Sequence, residues 1–222
     1  MIQAVLFDMD GTLLDSEPLY HACWERAMDE LHLQIDRAEF FLRVSGMNIP
    51  TMRAHCLKTY GADFPFEELR ERRRFYLMQA LEPAQPPLKP GAREVLIELR
   101  GMGIKCVLAT SSSYEYATGL IKRHGIESLF DGFMAGDRVV NGKPHPEIFL
   151  RAAELVGVKP SECVVAEDSR NGVLAGHAAG MRTVMIPDLL PCTEDLMPLL
   201  WHCVDRLWEL PDLIRSVNQA NG

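Results

Sequence analysis

The chain opens on a short apolar run, Ala4-Val5-Leu6-Phe7, closed at once by Asp8-Met9-Asp10-Gly11-Thr12. A run of that length ended by polar residues and glycine predicts a buried parallel strand stopping at a turn. The period then changes. From Glu17 to about Leu33 apolar residues recur at helical spacing, Trp24 with Met28 and Ala27 with Leu31, which predicts an amphipathic helix. Asp36 with Glu39 predicts a capping box opening a second helix through Phe40 and Phe41. Ser45-Gly46-Met47-Asn48 breaks it. Pro50 suits the first turn of a third helix, which Gly61 would end. A fourth is expected from about Phe66 to Leu81. No strand-like alternation occurs between Glu17 and Glu82, so a block of about four helices follows the first strand.

Between Pro83 and Gly91 four prolines make a stiff, extended connector, read as the return from the helical block. Leu14 to Pro18 is the outgoing connector. Beyond it strands and helices alternate. Ala92–Arg100 is helical, Ile104–Ala109 a strand, Tyr114–His124 helical and Phe133–Ala135 a short strand. Pro146–Val156 is helical, Cys163–Ala166 a strand, Asn171–Ala179 helical and Thr183–Ile186 a strand. That alternation predicts an α/β fold, a doubly wound parallel sheet with helices on both faces. Residues 1–15 and 84–222 would form the α/β core and residues 16–83 an inserted helical cap. The segment from Thr193 is expected to be helical and to pack on the edge.

Composition narrows the class. The 222 residues are 47% hydrophobic, as in a globular protein. A net charge of -8 argues against nucleic acid or an anionic membrane as partner. The six cysteines include no CxxC pair, and Cys106 and Cys163 fall in apolar runs, the pattern of reduced thiols in a cytoplasmic protein. No run has transmembrane length, and the N-terminus lacks the order of a signal peptide. A cytoplasmic monomer acting on a small molecule is the expectation.

Polar residues gather at the ends of the predicted strands: Asp8 and Asp10, Thr110 and Ser111, Glu167 and Asp168. Gly142-Lys143-Pro144 precedes a helix. Taken singly, each fits a turn or a helix cap. A parallel sheet, however, brings its strand ends to one edge. The candidate metal ligands, Asp8, Asp10, Glu167 and Asp168, are all hard oxygens, which selects Mg²⁺ over zinc or copper. Lys143, the hydroxyls and backbone N–H groups suit a phosphate. Gly101-x-Gly103 lacks a third glycine and is no dinucleotide fingerprint.

These four clusters in this order resemble the motifs of the haloacid dehalogenase superfamily, phosphatase branch, across essentially the full length. The helical insert is similar to the small cap of the subgroup that includes β-phosphoglucomutase and many sugar-phosphate phosphatases. The resemblance implies a Rossmann-like core with Asp8 as nucleophile and Asp10 as acid and base. It also implies Thr110, Ser111 and Lys143 on the phosphoryl oxygens. Mg²⁺ would be held by Asp8, the Asp10 main-chain carbonyl and Asp168, with Glu167 in or near its shell. It implies a phosphatase of a small phosphomonoester, a sugar or sugar-alcohol phosphate. The alternative is a β-phosphoglucomutase-like phosphomutase. That subgroup carries a cap-loop arginine for a second phosphate, and Ile49 stands there in this chain. Arg53 or the run Arg70-Glu71-Arg72-Arg73-Arg74 could substitute, although a charge run on a helix reads first as a solvated face. Asn48, Arg53 and His21 are the cap candidates for contact with substrate, and His145 reads as structural. A dehalogenase would have no use for Asp10, and a binding module with a dead site would lack an acid or the lysine; neither is missing.

Overall fold

A computed structural model describes residues 1–81 and 85–220. Six parallel strands run in the order β3-β2-β1-β4-β5-β6. They are β1 (Ala4–Phe7), β2 (Lys105–Thr110), β3 (Gly132–Ala135), β4 (Cys163–Glu167), β5 (Arg182–Met185) and β6 (His202–Cys203). β1 lies in the middle, with Val5 opposite Cys106 of β2 and Val164 of β4. All four of its residues are buried, which is why it reads as an unbroken apolar run. Alternate side chains serve opposite faces. Val5 and Phe7 join the core beneath α5 (Ala92–Gly101), α6 (Tyr114–Arg123) and α9 (Leu210–Ala220). Ala4 and Leu6 join the core beneath α7 (Glu147–Leu155) and α8 (Arg170–Ala178).

α1 (Glu17–Glu30), α2 (Arg37–Val44), α3 (Ile49–Tyr60) and α4 (Phe66–Leu81) lie between β1 and α5. They have a core of their own, built on Trp24, Met28, Phe40, Phe66 and Leu69. The outgoing chain is paired with the returning one. Leu14 bridges Leu88, Asp15 N–H donates to Pro87 O at 2.9 Å, and Lys89 N–H donates to Leu13 O at 2.8 Å. The remainder of the return crossing, residues 82–84, lies outside the described residues.

Three local expectations differ from the structure. α1 stops at Glu30, before Leu33, because His32 turns into the left-handed region at φ 52° and Leu33 N–H closes back on Met28 O. Only half of the capping box forms. Asp36 accepts from Glu39 N–H at 3.0 Å, while the Glu39 carboxylate turns to Arg43. The chain after Thr193 is not one helix. A 3-10 turn at Met197–Leu199 leads to the two-residue edge strand β6, and α9 starts only at Leu210. Among the described residues, no helix is long and apolar enough to cross a membrane.

Candidate active site

The sheet order places β1 between neighbours reached by crossovers on opposite faces, and the crevice beyond its carboxyl end is where such a fold binds ligands. Asp8 stands there, its N–H donating to Ala166 O at 3.0 Å. Lys143 reaches the same point from the loop before α7. Its side chain is fully buried, with 0% exposure. Nζ donates to Asp8 Oδ1 at 2.5 Å, to Ala109 O at 3.1 Å and to Glu167 Oε1. Three donors meet three acceptors, so the ammonium is satisfied away from water. Burial alone would lower its pKa. The charges of Asp8 and Glu167 outweigh this and raise it, so Lys143 stays charged.

Glu167 is fastened on its other oxygen. Oε2 accepts from Asp168 N–H at 3.1 Å, Ser169 N–H at 3.0 Å and Ser169 Oγ at 2.8 Å. Gly172 makes room for it, since a Cβ there would lie 1.8 Å from the carboxyl carbon. Gly11 does the same for Asp168. At φ +82°, its Cβ would lie 2.1 Å from Asp168 Oδ2. Carboxylate oxygens of Asp8, Glu167 and Asp168 lie within 4.8 Å of one another, all buried. Burial first, then repulsion from Glu167 and other neighbouring carboxylates, pushes Asp8 and Asp168 well above the ordinary carboxylate value. Such a set of hard oxygens under mutual repulsion fits a divalent cation such as Mg²⁺.

Asp10 points elsewhere. Its Oδ1 accepts from Ser16 Oγ at 2.8 Å and its Oδ2 from Ser112 Oγ at 2.9 Å. Burial, then the charge of Glu17, raises its pKa, against the lowering effect of the two serines. Thr110 closes β2 and is buried, its Oγ1 accepting from Ser112 N–H at 3.1 Å. Ser111 ties this edge to the helical insert, donating its hydroxyl to Gly46 O at 2.5 Å.

Above these groups lies a cavity of about 760 Å³, with Asp8, Asp10, Thr110, Ser111 and Asp168 on the side of the sheet and the insert opposite. The haloacid dehalogenase-like hydrolase model matches residues 2–180, most of the chain. The chain belongs to the haloacid dehalogenase-like hydrolase family. It is 38% identical over 189 residues to "Probable pseudouridine-5'-phosphatase" of Drosophila melanogaster, covering 82% of this chain and 80% of that one. It is 34% identical over 188 residues to "Phosphorylated carbohydrates phosphatase" of Thermotoga maritima, covering 82% and 84%. Among solved structures, CbbY from Rhodobacter sphaeroides in complex with phosphate superposes with a TM-score of 0.76 at 27% identity, covering 95% and 96%.

In this haloacid dehalogenase-like hydrolase the core candidates come together and the insert candidates separate. His21 lines the cavity, its ring stacked on Phe41 at 3.7 Å and its Nε2 3.1 Å from Glu17 Oε2. Asn48 is not in the cavity wall. It is buried, caps α3 by accepting from Thr51 N–H at 3.1 Å, and donates to Gly136 O at 3.3 Å. Its amide packs where a Cβ on Gly142 would stand, so it braces the insert against the core. Arg53 also lies outside the wall, exposed and paired with Glu67 at 2.7 Å. The arginine run is not one solvated face. Arg72 pairs on the outside with Glu30 and Glu68, whereas Arg70, Arg73 and Arg74 line the cavity. Their spacing with Leu77 (i, i+3, i+4, i+7) is the signal of one helix face that charge alone concealed. Ser16 and Ser112, which hold Asp10, were legible only as polar loop residues.

Proposed function

We propose that the chain is a Mg²⁺-dependent phosphatase of a small phosphorylated metabolite, a sugar or sugar-alcohol phosphate, working through an aspartyl phosphate on Asp8. The observation that carries this reading is the buried ammonium of Lys143 shared by Asp8 and Glu167, beside Asp168, at the end of the central strand. Mg²⁺ held by Asp8, Asp168 and the Asp10 carbonyl, with Glu167 alongside, would supply positive charge against the phosphate. An Asp8 carboxylate oxygen attacks phosphorus while the bond to the leaving alcohol breaks. Asp10 gives its proton to that alcohol oxygen. A water then attacks the phosphoryl group, Asp10 takes back a proton, and the Asp8–phosphate bond breaks. The raised pKa of Asp10 suits a group that must hold a proton first. Lys143, Thr110 and Ser111 meet the spreading negative charge.

Residues 16–83 act as a cap that excludes water, moving on the paired crossings at Leu14 and Leu88. Apolar Met47 and Ile49 in the cavity wall leave the loop without the arginine of the mutase subgroup, which supports hydrolysis, while the cations of the insert's wall stand on α4 at Arg70, Arg73 and Arg74. The names of the relatives support a phosphomonoester as substrate. A screen of phosphorylated metabolites for phosphate release, with and without a chelator, tests the reading. Phosphate released from sugar phosphates, and lost on chelation, is expected. β-Glucose 1-phosphate turning into the 6-phosphate faster than phosphate is released would favour the mutase.

A further inference from the structure

The cavity wall carries a positively charged region of its own, apart from the buried Lys143 beneath it. Arg70, Arg73 and Arg74 of α4 turn into it from the insert. The insert's other arginines are mostly neutralised: Arg37 by Asp29, Arg43 by Glu39, Arg53 by Glu67, Arg72 by Glu30 and Glu68. Among the described residues, Arg73 and Arg74 have no ion pair, and Arg70 has only Glu67 at 3.6 Å. Arg73 is the most constrained. Its guanidinium lies 5.1 Å from the Tyr20 ring centroid and 5.4 Å from that of Trp24, and its Nε is buried without a hydrogen-bond partner. The acids that share the cavity are engaged elsewhere or unpaired with it. Asp8 is held by Lys143, Asp168 accepts from Thr12, Asp10 is held by Ser16 and Ser112, Glu17 lies beside His21, and exposed Glu115 makes no ion pair with any of the three arginines.

Arg73 is half-buried, and its Nε–H, shielded from water and unpaired, costs free energy that a ligand would recover. The two aromatic rings fix the planar group before binding, which reduces the entropy lost when an acceptor arrives. Trp24, Phe41, Met52 and Leu77 make the apolar part of the wall, and several of its hydroxyls are already engaged: Tyr20 with Tyr116, Ser111 with Gly46 O, Ser112 with Asp10 and Ser169 with Glu167. We infer that Arg73, flanked by Arg70 and Arg74, receives a second oxyanion, a carboxylate or a second phosphate, carried by the leaving alcohol. The inference rests on the phosphatase reading for the first phosphate, and narrows the substrate class to anion-bearing phosphomonoesters.

Matched pairs test it. Glucitol 6-phosphate against 6-phosphogluconate asks about a carboxylate, and glucose 1-phosphate against glucose 1,6-bisphosphate asks about a second phosphate. Within at least one pair, kcat/KM should favour the member with the second anion by about tenfold or more, as one charge-assisted bond allows. The preference should weaken as salt rises. Arg73→Gln should bring the ratio towards one, and Arg73→Lys should retain part of it. Equal or reversed ratios for both pairs in the native protein, or ratios that survive Arg73→Gln in a folded variant, would overturn the inference. Calorimetric binding of the same pairs reads the arginine without turnover. A chain that hydrolyses nothing but binds the second-anion member more tightly fails the phosphatase reading and not this one.

Discussion

Lys143 Nζ sits 2.5 Å from Asp8 Oδ1 with no exposure to solvent, so the residue read as nucleophile is held by a cation before any substrate arrives. Removing that cation leaves Asp8 and Glu167 buried without a countercharge. Lys143→Met should cost about 3 kcal/mol in chemical denaturation, because a buried charge loses its partner. Adding Glu167→Gln should recover part of the loss. Turnover should fall by about a hundredfold or more in both variants. A single variant as stable as the native chain would contradict the account of the pair.

The acidic cluster makes a prediction about pH and metal. Asp8, Asp10 and Asp168 are each held above the reference value of 3.8, so the folded chain binds protons more tightly than the unfolded one. Their contribution in the metal-free chain is therefore best below 3.8 and falls as pH rises through the raised values. Mg²⁺ competes with those protons. The rise in Tm on adding Mg²⁺ should be larger at pH 8 than at pH 5. Asp168→Asn should stabilise the metal-free chain at pH 8 and lose the response to Mg²⁺. A Tm rise independent of pH would count against the site.

Ser112 donates to Asp10 Oδ2 at 2.9 Å and thereby lowers its pKa against the effect of burial. Ser112→Ala should raise that pKa further. Asp10 must be protonated to release the alcohol, so the alkaline limb of the pH profile of kcat/KM should move to higher pH. An unmoved limb would remove Asp10 from the role of acid.

Asn48 separates packing from recognition. Asn48→Ala loses the α3 cap and the bond to Gly136, and should cost about 1 kcal/mol of stability. The preference between paired substrates should stay as in the native chain, because the amide does not face the cavity. A changed preference would return Asn48 to the list of substrate contacts.

The core was legible because its polar residues sit at fixed points of a regular pattern. Asp8 ends an apolar run, Thr110 and Glu167 prove to be the last residues of their strands, and parallel topology brings such ends together. The insert was less legible. Four helices could be placed from periodicity, but the direction of each side chain depends on how the helices pack. Hence Asn48 became a strut, Arg53 went to the surface, and Arg73, hidden in a run of charge, turned inwards. β6 escaped because two residues carry no periodicity, and the end of α1 escaped because a histidine, not a glycine, takes the left-handed turn.

The central claim is that a covalent phosphoryl group forms on Asp8. Mixing the enzyme with Mg²⁺ and a slowly hydrolysed phosphomonoester, quenching in acid and mapping the label by mass spectrometry tests it most directly. Phosphate should appear on the peptide containing Asp8 during turnover, decay as free phosphate is released, and be absent from Asp8→Asn. Full turnover by Asp8→Asn, or label on another residue with Asp8 unmodified, would contradict the account.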